Sequence, residues 1–147
     1  MITVALTSPL APQSRALIDQ SEHLMRSLFS VAECHTFSAT ELANGKTDFF
    51  IAHLDGDAVG CVALVDYGDY AEIKRLYVSD AARGSGVALQ LMAALEKRAT
   101  SGIIRLETAE KLSAAVSFYE KLGYARIAAF GGYTADASSV FMEKRLG

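Results

Sequence analysis

The sequence contains few of the residues that cross-link or interrupt a protein chain. Its 147 residues include two cysteines, two prolines and no tryptophan. Cys34 and Cys61 are far apart and form no CxxC pair, so we expect a reduced, disulfide-free protein of the cytoplasm. Pro9 and Pro12 both lie near the start, and no proline- or serine-rich linker follows them. Because no linker divides the chain, we expect a single domain over residues 1–147.

Other absences exclude classes of partner. The net charge is −3 and no run of lysine or arginine is present, so the sequence lacks the basic stripe of a nucleic-acid-binding protein. No apolar stretch reaches the roughly 18 residues of a membrane span, and the first residues do not resemble a secretory signal. The three histidines, His23, His35 and His53, do not have a metal-ligand spacing. We therefore expect no nucleic acid, membrane or metal partner.

The residues that are present alternate between strand-like and helix-like patterns. Hydrophobic residues make up 51% of the chain, which is enough to form a core. The predicted strands are Ile2–Thr7, Phe49–Leu54, Val59–Val65, Ala71–Val78, Ile103–Glu107, Tyr124–Phe130 and Ser138–Leu146. The predicted helices are Gln13–Phe29, Ala39–Ala43, Val87–Ala99 and Leu112–Leu122. Antiparallel hairpins at both ends and βαβ units between them predict a mixed α/β sheet.

The most informative segment is the turn Arg83-Gly84-Ser85-Gly86, which lies between a predicted strand and a predicted helix. The first N–H groups of a helix have no partner within the helix, and the helix dipole adds partial positive charge there. Glycine allows the backbone to take a positive φ and to approach an anion closely. The segment therefore predicts a phosphate-binding turn. It is not a P-loop, because no Gly-Lys-Ser/Thr follows.

Two motifs together resemble those of a known family, the GNAT acetyltransferase superfamily. The first is Arg83-Gly84-Ser85-Gly86-Val87-Ala88, which fits the family's pattern of Arg or Gln, two variable residues, Gly, one variable residue, and Gly or Ala. The second is Phe118-Tyr119-Glu120-Lys121-Leu122-Gly123-Tyr124, one predicted strand later. The order of elements is also similar to that of the family. The ending Ser139–Lys144 resembles a bacterial branch of small GNAT proteins.

The resemblance implies both a fold and a reaction. The fold is a mixed, mostly antiparallel sheet of about six to seven strands with a central splayed parallel pair, flanked by about four helices. The reaction is the transfer of an acetyl group from acetyl-CoA to a primary amine, by direct attack and without a covalent enzyme intermediate. No metal is needed. The family also suggests a homodimer as a possible assembly.

The resemblance further implies which residues bind CoA. N–H groups from Gly84 to Leu89 would bind the pyrophosphate, and Arg83 would add a charged contact or hold the turn. In the family the pantetheine fills the gap between the splayed strands, and the Val78 amide would stabilise the oxyanion. The implied cofactor-binding residues are Leu76, Tyr77, Val78, Arg83, Gly84, Ser85, Gly86, Val87, Ala88 and Leu89.

Three residues are candidates for the chemistry. An alkyl amine has a pKa of about 10.4, so a carboxylate must take a proton from it before attack. We favour Glu72, with Glu107 as the second candidate, although Glu72 could instead be a solvated strand residue or an ion-pair partner of Lys74 or Arg105. Tyr119 matches the tyrosine that lies near the thioester sulfur in the family. Because a phenol has a pKa of about 10 and a thiol about 8.5, we expect Tyr119 to stabilise the leaving sulfur by a hydrogen bond.

The acceptor is less well defined by the sequence. His35 and Tyr133 match segments that face the acceptor pocket in the family, so they are candidate substrate contacts. Leu112 replaces an asparagine that contacts CoA in many relatives, which removes one expected side-chain contact.

The expected acceptor is a small-molecule amine, with a peptide or protein N-terminus as an alternative. Two other functions stay open, a catalytically weak acyl-CoA sensor and a binder of another nucleotide.

Overall fold

Seven strands form one mixed sheet in the computed structural model, which describes residues 1–29, 38–133 and 138–146. The strands are β1 (Ile2–Thr7), β2 (Thr47–Leu54), β3 (Asp57–Asp66), β4 (Ala71–Val78), β5 (Ile103–Ala109), β6 (Ala125–Ile127) and β7 (Ser139–Arg145). The helices are α1 (Pro12–Leu28), α2 (Ala39–Leu42), α3 (Val87–Arg98) and α4 (Ser113–Lys121), and a 3₁₀ turn covers Asp80–Ala82. The strand order is β1-β2-β3-β4-β5-β7-β6.

The central pair β4–β5 is parallel, whereas the other neighbouring strands are antiparallel. The two parallel strands are paired from Ala71 opposite Ile104 to Ile73 opposite Leu106. Both strands continue beyond this point without pairing to each other in the part of the chain that is described. The predicted fold, a mixed sheet with a central splayed parallel pair and four helices, is confirmed.

Alternating side chains along the central strands separate the two faces of the sheet. Ile73, Ile104 and Leu106 are buried in a cluster with residues of α3 and α4, and we call this side the α3/α4 face. Phe49 and Ile51 are buried with residues of α1 and α2, and we call that side the α1 face. The side chains of β4 and β5 that alternate with Ile73, Ile104 and Leu106 therefore point to the α1 face.

The strand predicted over Tyr124–Phe130 is shorter than expected, because β6 covers Ala125–Ile127. The Tyr124 N–H donates to the Tyr119 carbonyl at 3.0 Å and so closes the end of α4 instead of joining the sheet. Phe130 is buried and packs edge-to-face on Tyr70 and Tyr133, with ring centroids 5.5 Å apart in both pairs. Tyr124 and Phe130, the two ends of the predicted strand, thus make their contacts outside the sheet. This explains why β6 is shorter than predicted.

Among the helices that the structure describes, none is long and apolar enough to cross a membrane.

Candidate active site

The gap between β4 and β5 is a cleft that connects the two faces of the sheet. Its cavity has a volume of about 180 Å³. Ile73, Leu106 and Tyr119 line it from the α3/α4 face, whereas Glu72 and Glu107 line it from the α1 face. The strands that diverge here leave backbone groups available for a ligand.

Val78 presents its amide toward this gap. The Ser79 N–H donates to the Val59 carbonyl of β3 at 2.8 Å. Because successive N–H groups of a strand point to opposite edges, the Val78 N–H points away from β3, toward the side on which β5 has diverged. A carbonyl oxygen held between the strands would meet this donor.

A bulge bends β4 at the point where the cleft begins. Tyr77 pairs with Cys61 and Lys74 pairs with Ala63, so β4 has one more residue than β3 between these pairs. Arg75 lies in the bulge with a φ of 57°, a left-handed conformation that costs a non-glycine residue about 1–2 kcal/mol. Its buried guanidinium reaches Glu22 Oε2 of α1 at 2.6 Å. This ion pair stabilises the bent strand against α1.

The bulge also contacts a buried thiol. The Cys61 Sγ donates to the Arg75 carbonyl at 3.4 Å. Burial raises the pKa of Cys61 to about 12, so the thiol keeps its proton at neutral pH. This arrangement is that of a structural cysteine, not of a nucleophile.

The glycine turn has the conformation that its residues predict. Gly84 and Gly86 have φ values of 81° and 92°. A Cβ added to either glycine would meet no atom within 4 Å, so the space in front of the turn is open. The first intrahelical hydrogen bond of α3 runs from the Gln90 N–H to the Gly86 carbonyl at 3.1 Å. The N–H groups of residues 87–89 therefore have no acceptor within the helix and can face an anion.

Two side chains of the glycine turn contact the protein itself and so stabilise the turn. Val87 is buried, and a Cβ at Gly60 would come within 2.9 Å of its Cγ1, so only the Val87 backbone can reach a ligand. Arg83 pairs with Asp80 at 3.0 Å and donates to the Val78 carbonyl at 3.3 Å. These contacts correspond to the second of the two roles expected for Arg83, which is to hold the turn.

Tyr119 lies in the core at the edge of the cleft. Its ring packs edge-to-face on Phe118 and Tyr124, with centroid distances of 5.6 and 5.7 Å. Burial raises the pKa of the Tyr119 hydroxyl above its ordinary value. The group thus keeps its proton and suits the role of a hydrogen-bond donor better than that of an acid.

Glu72, Lys74 and Tyr133 form a hydrogen-bonded cluster on the α1 face. The Tyr133 hydroxyl donates to Glu72 Oε2 at 2.6 Å, and the Lys74 ammonium lies 3.0 Å from the same oxygen. The Lys74 ammonium also donates to the Tyr133 hydroxyl oxygen. Burial, followed by the hydrogen bond to Glu72 and its charge, raises the pKa of Tyr133. Of the two partners considered for Glu72, the structure selects Lys74, because Arg105 pairs with Glu143.

An aromatic cluster holds the loop that carries Tyr133. The Tyr133 ring lies 5.5 Å from Phe130 and 5.6 Å from Phe141. Gly131, with a φ of 59°, lies so close to Tyr70 that an added Cβ would be 2.9 Å from the Tyr70 hydroxyl. The loop thus brings Tyr133 over the cleft through contacts with the β3–β4 turn.

Glu107 is the second carboxylate of the cleft. It lies on β5, is half-buried, and accepts a hydrogen bond from Ser139 Oγ at 2.8 Å. On the other side, Met25 of α1 and Phe29, the residue that follows α1, close the cleft. Lys111 links α1 to the loop before α4, because its ammonium donates to the Leu28 carbonyl at 2.9 Å.

The structure brings many of the predicted site residues together. The predicted residues that line the cleft are Glu72, Leu76, Glu107, Tyr119 and Tyr133, and Leu112 lines it as well. Tyr77 and Arg83 line a neighbouring cavity against α1, where the Tyr77 hydroxyl donates to Gln20 at 3.3 Å. Residues 83–89 of the glycine turn do not line the cleft itself. His35 lies outside the described residues.

Two residues of the site, Lys74 and Arg75, were not predicted as functional. Lys74 follows Glu72 by two positions on a strand, a spacing that places both side chains on one face. That signal was available in the sequence. Arg75 had no such signal, because its position depends on a bulge and on α1.

Comparisons with known proteins agree with this geometry. A protein-family model described as an acetyltransferase (GNAT) domain matches residues 45–126. An IAA acetyltransferase from Azospirillum brasilense is 31% identical, over 99% of this chain and 98% of that protein. A Klebsiella pneumoniae structure, provisionally assigned as an acyl-CoA N-acyltransferase, is 30% identical with a TM-score of 0.85, covering 100% and 99% of the two chains. The PaiA N-acetyltransferase of Thermoplasma acidophilum, solved with coenzyme A, shares the fold at 21% identity, with a TM-score of 0.77 over 99% of each chain.

Proposed function

The chain belongs to the GNAT acetyltransferase family, and on that premise we propose that it transfers the acetyl group of acetyl-CoA to the primary amine of a small molecule. The observation that carries this proposal is the cleft between β4 and β5, which has Tyr119 at one side and two carboxylates, Glu72 and Glu107, at the other. A thioester placed between the strands would have a hydrogen-bond donor near its sulfur, and the amine that attacks it would have a base nearby.

The donor would bind mainly through the backbone. The N–H groups of residues 87–89 would receive the pyrophosphate, with Gly84 and Gly86 allowing its close approach. The pantetheine amides would pair with the unpaired edges of β4 and β5 as an added strand does. In this pose the Val78 N–H would donate to the carbonyl oxygen as negative charge develops on it.

The proposed reaction moves protons as well as the acetyl group. An acceptor ammonium first gives one proton to a carboxylate of the cleft, which passes it to solvent. The neutral amine then attacks the thioester carbon, so that a C–N bond forms and the C–S bond breaks. The leaving thiolate, stabilised by the Tyr119 hydroxyl, takes up the second proton that the new amide nitrogen loses. Free CoA thiol and an N-acetyl product result.

The small-molecule class is supported by the size of the cleft. A cavity of about 180 Å³ can hold the reacting groups and a short side chain, which is the room that a small amine needs. We also propose that residues 1–147 act as one domain, because β1 begins at Ile2 and β7 ends at Arg145 within the same sheet.

Release of CoA thiol from acetyl-CoA, measured across a panel of amines, tests the proposed function. We expect turnover with at least one small amine and a product whose mass has increased by one acetyl group. Turnover only with peptide or protein N-termini would replace the acceptor class. Tight CoA binding without turnover on any amine would indicate a sensor, and binding of ATP or NAD in place of CoA would contradict the proposal.

A further inference from the structure

The charged side chains that line the cleft are balanced in sign. Among the described residues, the acidic and basic side chains of the lining are Glu72, Glu107, Lys74 and Arg75. With two of each sign, their charges cancel however they pair. The described part of the lining therefore has no excess negative charge that would attract an acceptor with several ammonium groups.

An acceptor ammonium that keeps its charge would be costly in this cleft. Lys74 and Glu72 are only 7% and 3% exposed, and a buried charge needs a partner of opposite sign. One oxygen of Glu72 already lies 3.0 Å from the Lys74 ammonium and accepts from the Tyr133 hydroxyl at 2.6 Å. An additional ammonium would compete for that oxygen. The amine that reacts escapes this cost, because it loses its charge before it attacks.

An apolar surface closes the cleft on the side of α1. It consists of Met25, which is half-buried, and Phe29, which is 7% exposed, and we call it the α1 wall. The Lys111 ammonium lies 4.9 Å from the centroid of the Phe29 ring and donates to the Leu28 carbonyl, so it adds positive charge behind this wall. The α1 wall thus favours an apolar group of the acceptor over a cationic one.

From these features we propose that the acceptor carries a single ammonium on an uncharged, apolar body, as alkylamines and arylalkylamines do, and that Met25 and Phe29 are the specificity-determining residues that contact this body. The inference rests on the proposed acetyl transfer. The amine would point toward the two carboxylates of the cleft, while the body would leave water against the α1 wall. Each methylene buried in this way should improve affinity about fourfold, until the cavity is filled.

Three acceptors of equal chain length test the charge preference. Hexylamine ends in a methyl group, hexamethylenediamine in a second ammonium, and ε-aminocaproic acid in a carboxylate. We expect kcat/KM for hexylamine to exceed that for either charged analogue at least ~10-fold. From propylamine to hexylamine, kcat/KM should rise about fourfold per methylene until the cavity is filled. An equal or higher kcat/KM for the diamine or the amino acid would overturn the inference.

Met25→Glu tests the α1 wall itself. A carboxylate at this position should favour the diamine, so the ratio of kcat/KM for hexylamine to that for the diamine should fall at least ~10-fold. Leu24→Glu is the matched control, because Leu24 is the adjacent half-buried residue of α1 and lines the neighbouring cavity with Tyr77. It adds the same charge to the same helix and should leave the ratio unchanged. An equal fall in both variants would contradict the role of Met25.

Met25→Gln keeps the test available if Met25→Glu does not fold. This uncharged variant should lower kcat/KM for hexylamine ~3- to 10-fold without changing the Kd for CoA, because it makes the wall more polar. Unchanged hexylamine kinetics would remove Met25 from the acceptor site.

Binding to the CoA-loaded protein, measured by calorimetry, tests the preference without turnover. We expect a lower Kd for hexylamine than for hexamethylenediamine, and the reverse order would overturn the inference. Turnover with the diamine but not with hexylamine would also overturn it, while the proposed acetyl transfer would stand. No turnover with any amine would contradict the proposed function, and the order of the two Kd values would still test the preference of the cleft.

Discussion

The proposed donor and acceptor sides of the cleft differ in how they are built. The donor side consists of backbone N–H groups, at the start of α3 and at Val78, which glycines and a diverging strand leave accessible. The acceptor side consists of side chains, Glu72, Lys74 and Tyr133, which bind one another. A donor that never varies suits a backbone site, whereas side chains allow the acceptor site to change between relatives without disturbing the fold.

The difference predicts that the two sides can be damaged separately. The largest effect is expected at the glycine turn, where Gly86→Glu would place a side chain and a negative charge in the path of the pyrophosphate. We expect the Kd for CoA, measured by calorimetry, to rise by at least ~10³-fold. The melting temperature should fall modestly, because the φ of 92° at Gly86 strains any residue with a side chain, although a Cβ there would meet no protein atom within 4 Å.

Gly45→Glu is the matched control for this variant. Gly45 also has a positive φ, 79°, and open space around it, but it lies near the C-terminal end of α3. The control carries the same backbone strain and the same added charge. Equal loss of CoA affinity in both variants would mean that strain or net charge, not the glycine turn, explains the result.

Tyr119→Phe should affect chemistry and leave donor binding intact. Loss of the hydroxyl near the thioester sulfur should lower kcat by ~10- to 100-fold, with little change in the Kd for CoA. Tyr124→Phe is the control, because its hydroxyl donates to Glu96 at 2.9 Å, away from the cleft. An unchanged kcat in Tyr119→Phe would remove this residue from the mechanism.

The pH dependence of the same variant tests whether Tyr119 acts as a hydrogen-bond donor. Burial disfavours the phenolate and so raises the pKa of Tyr119 above about 10, which means that the hydroxyl keeps its proton at lower pH. The ratio of wild-type to Tyr119→Phe kcat should therefore stay constant from about pH 7 to about pH 10. A ratio that falls toward one near the pKa of a thiol, about 8.5, would show that Tyr119 titrates there.

A smaller and more selective effect is expected on the acceptor side from Gly131→Ala. The added Cβ would lie 2.9 Å from the Tyr70 hydroxyl at a residue with a φ of 59°, so either Tyr70 or the loop that carries Tyr133 must shift. We expect KM for the amine to rise ~10-fold while the Kd for CoA stays constant. Gly132→Ala, where nothing lies within 4 Å, should have little effect. A change in CoA affinity in Gly131→Ala would show that the two sides are not independent.

The same contrast explains how much could be predicted from the sequence. The bounds of β1 and β4 and the positive φ at Gly84 and Gly86 follow from local patterns, and the structure has them as predicted. The pairing of Glu72 with Lys74 was foreseen only as one possibility, beside a solvated side chain and a pairing with Arg105. The hydrogen bond from Tyr133 to Glu72, 61 residues away in the chain, depends on how distant segments pack. Local sequence predicts backbone sites well, because they need only one turn to form.

The strained residue Arg75 shows the same limit. The bulge in β4 arises because the register between β3 and β4 shifts between Cys61 and Ala63. No short sequence motif in either strand predicts that shift. The ion pair that holds Arg75 comes from Glu22, on a helix 53 residues earlier in the chain. Contacts of this kind become visible once the register of the sheet is known.

The measurement that tests the account most directly is amide hydrogen exchange, followed by NMR with and without CoA. We predict that CoA slows exchange at Val78, Val87, Ala88 and Leu89 at least ~10-fold, because its oxygens accept from these N–H groups. The first-turn amides of α1, which also lack helical acceptors but have no glycine turn before them, should not change. Saturation with CoA without slower exchange at residues 87–89 would contradict a donor site built from the backbone.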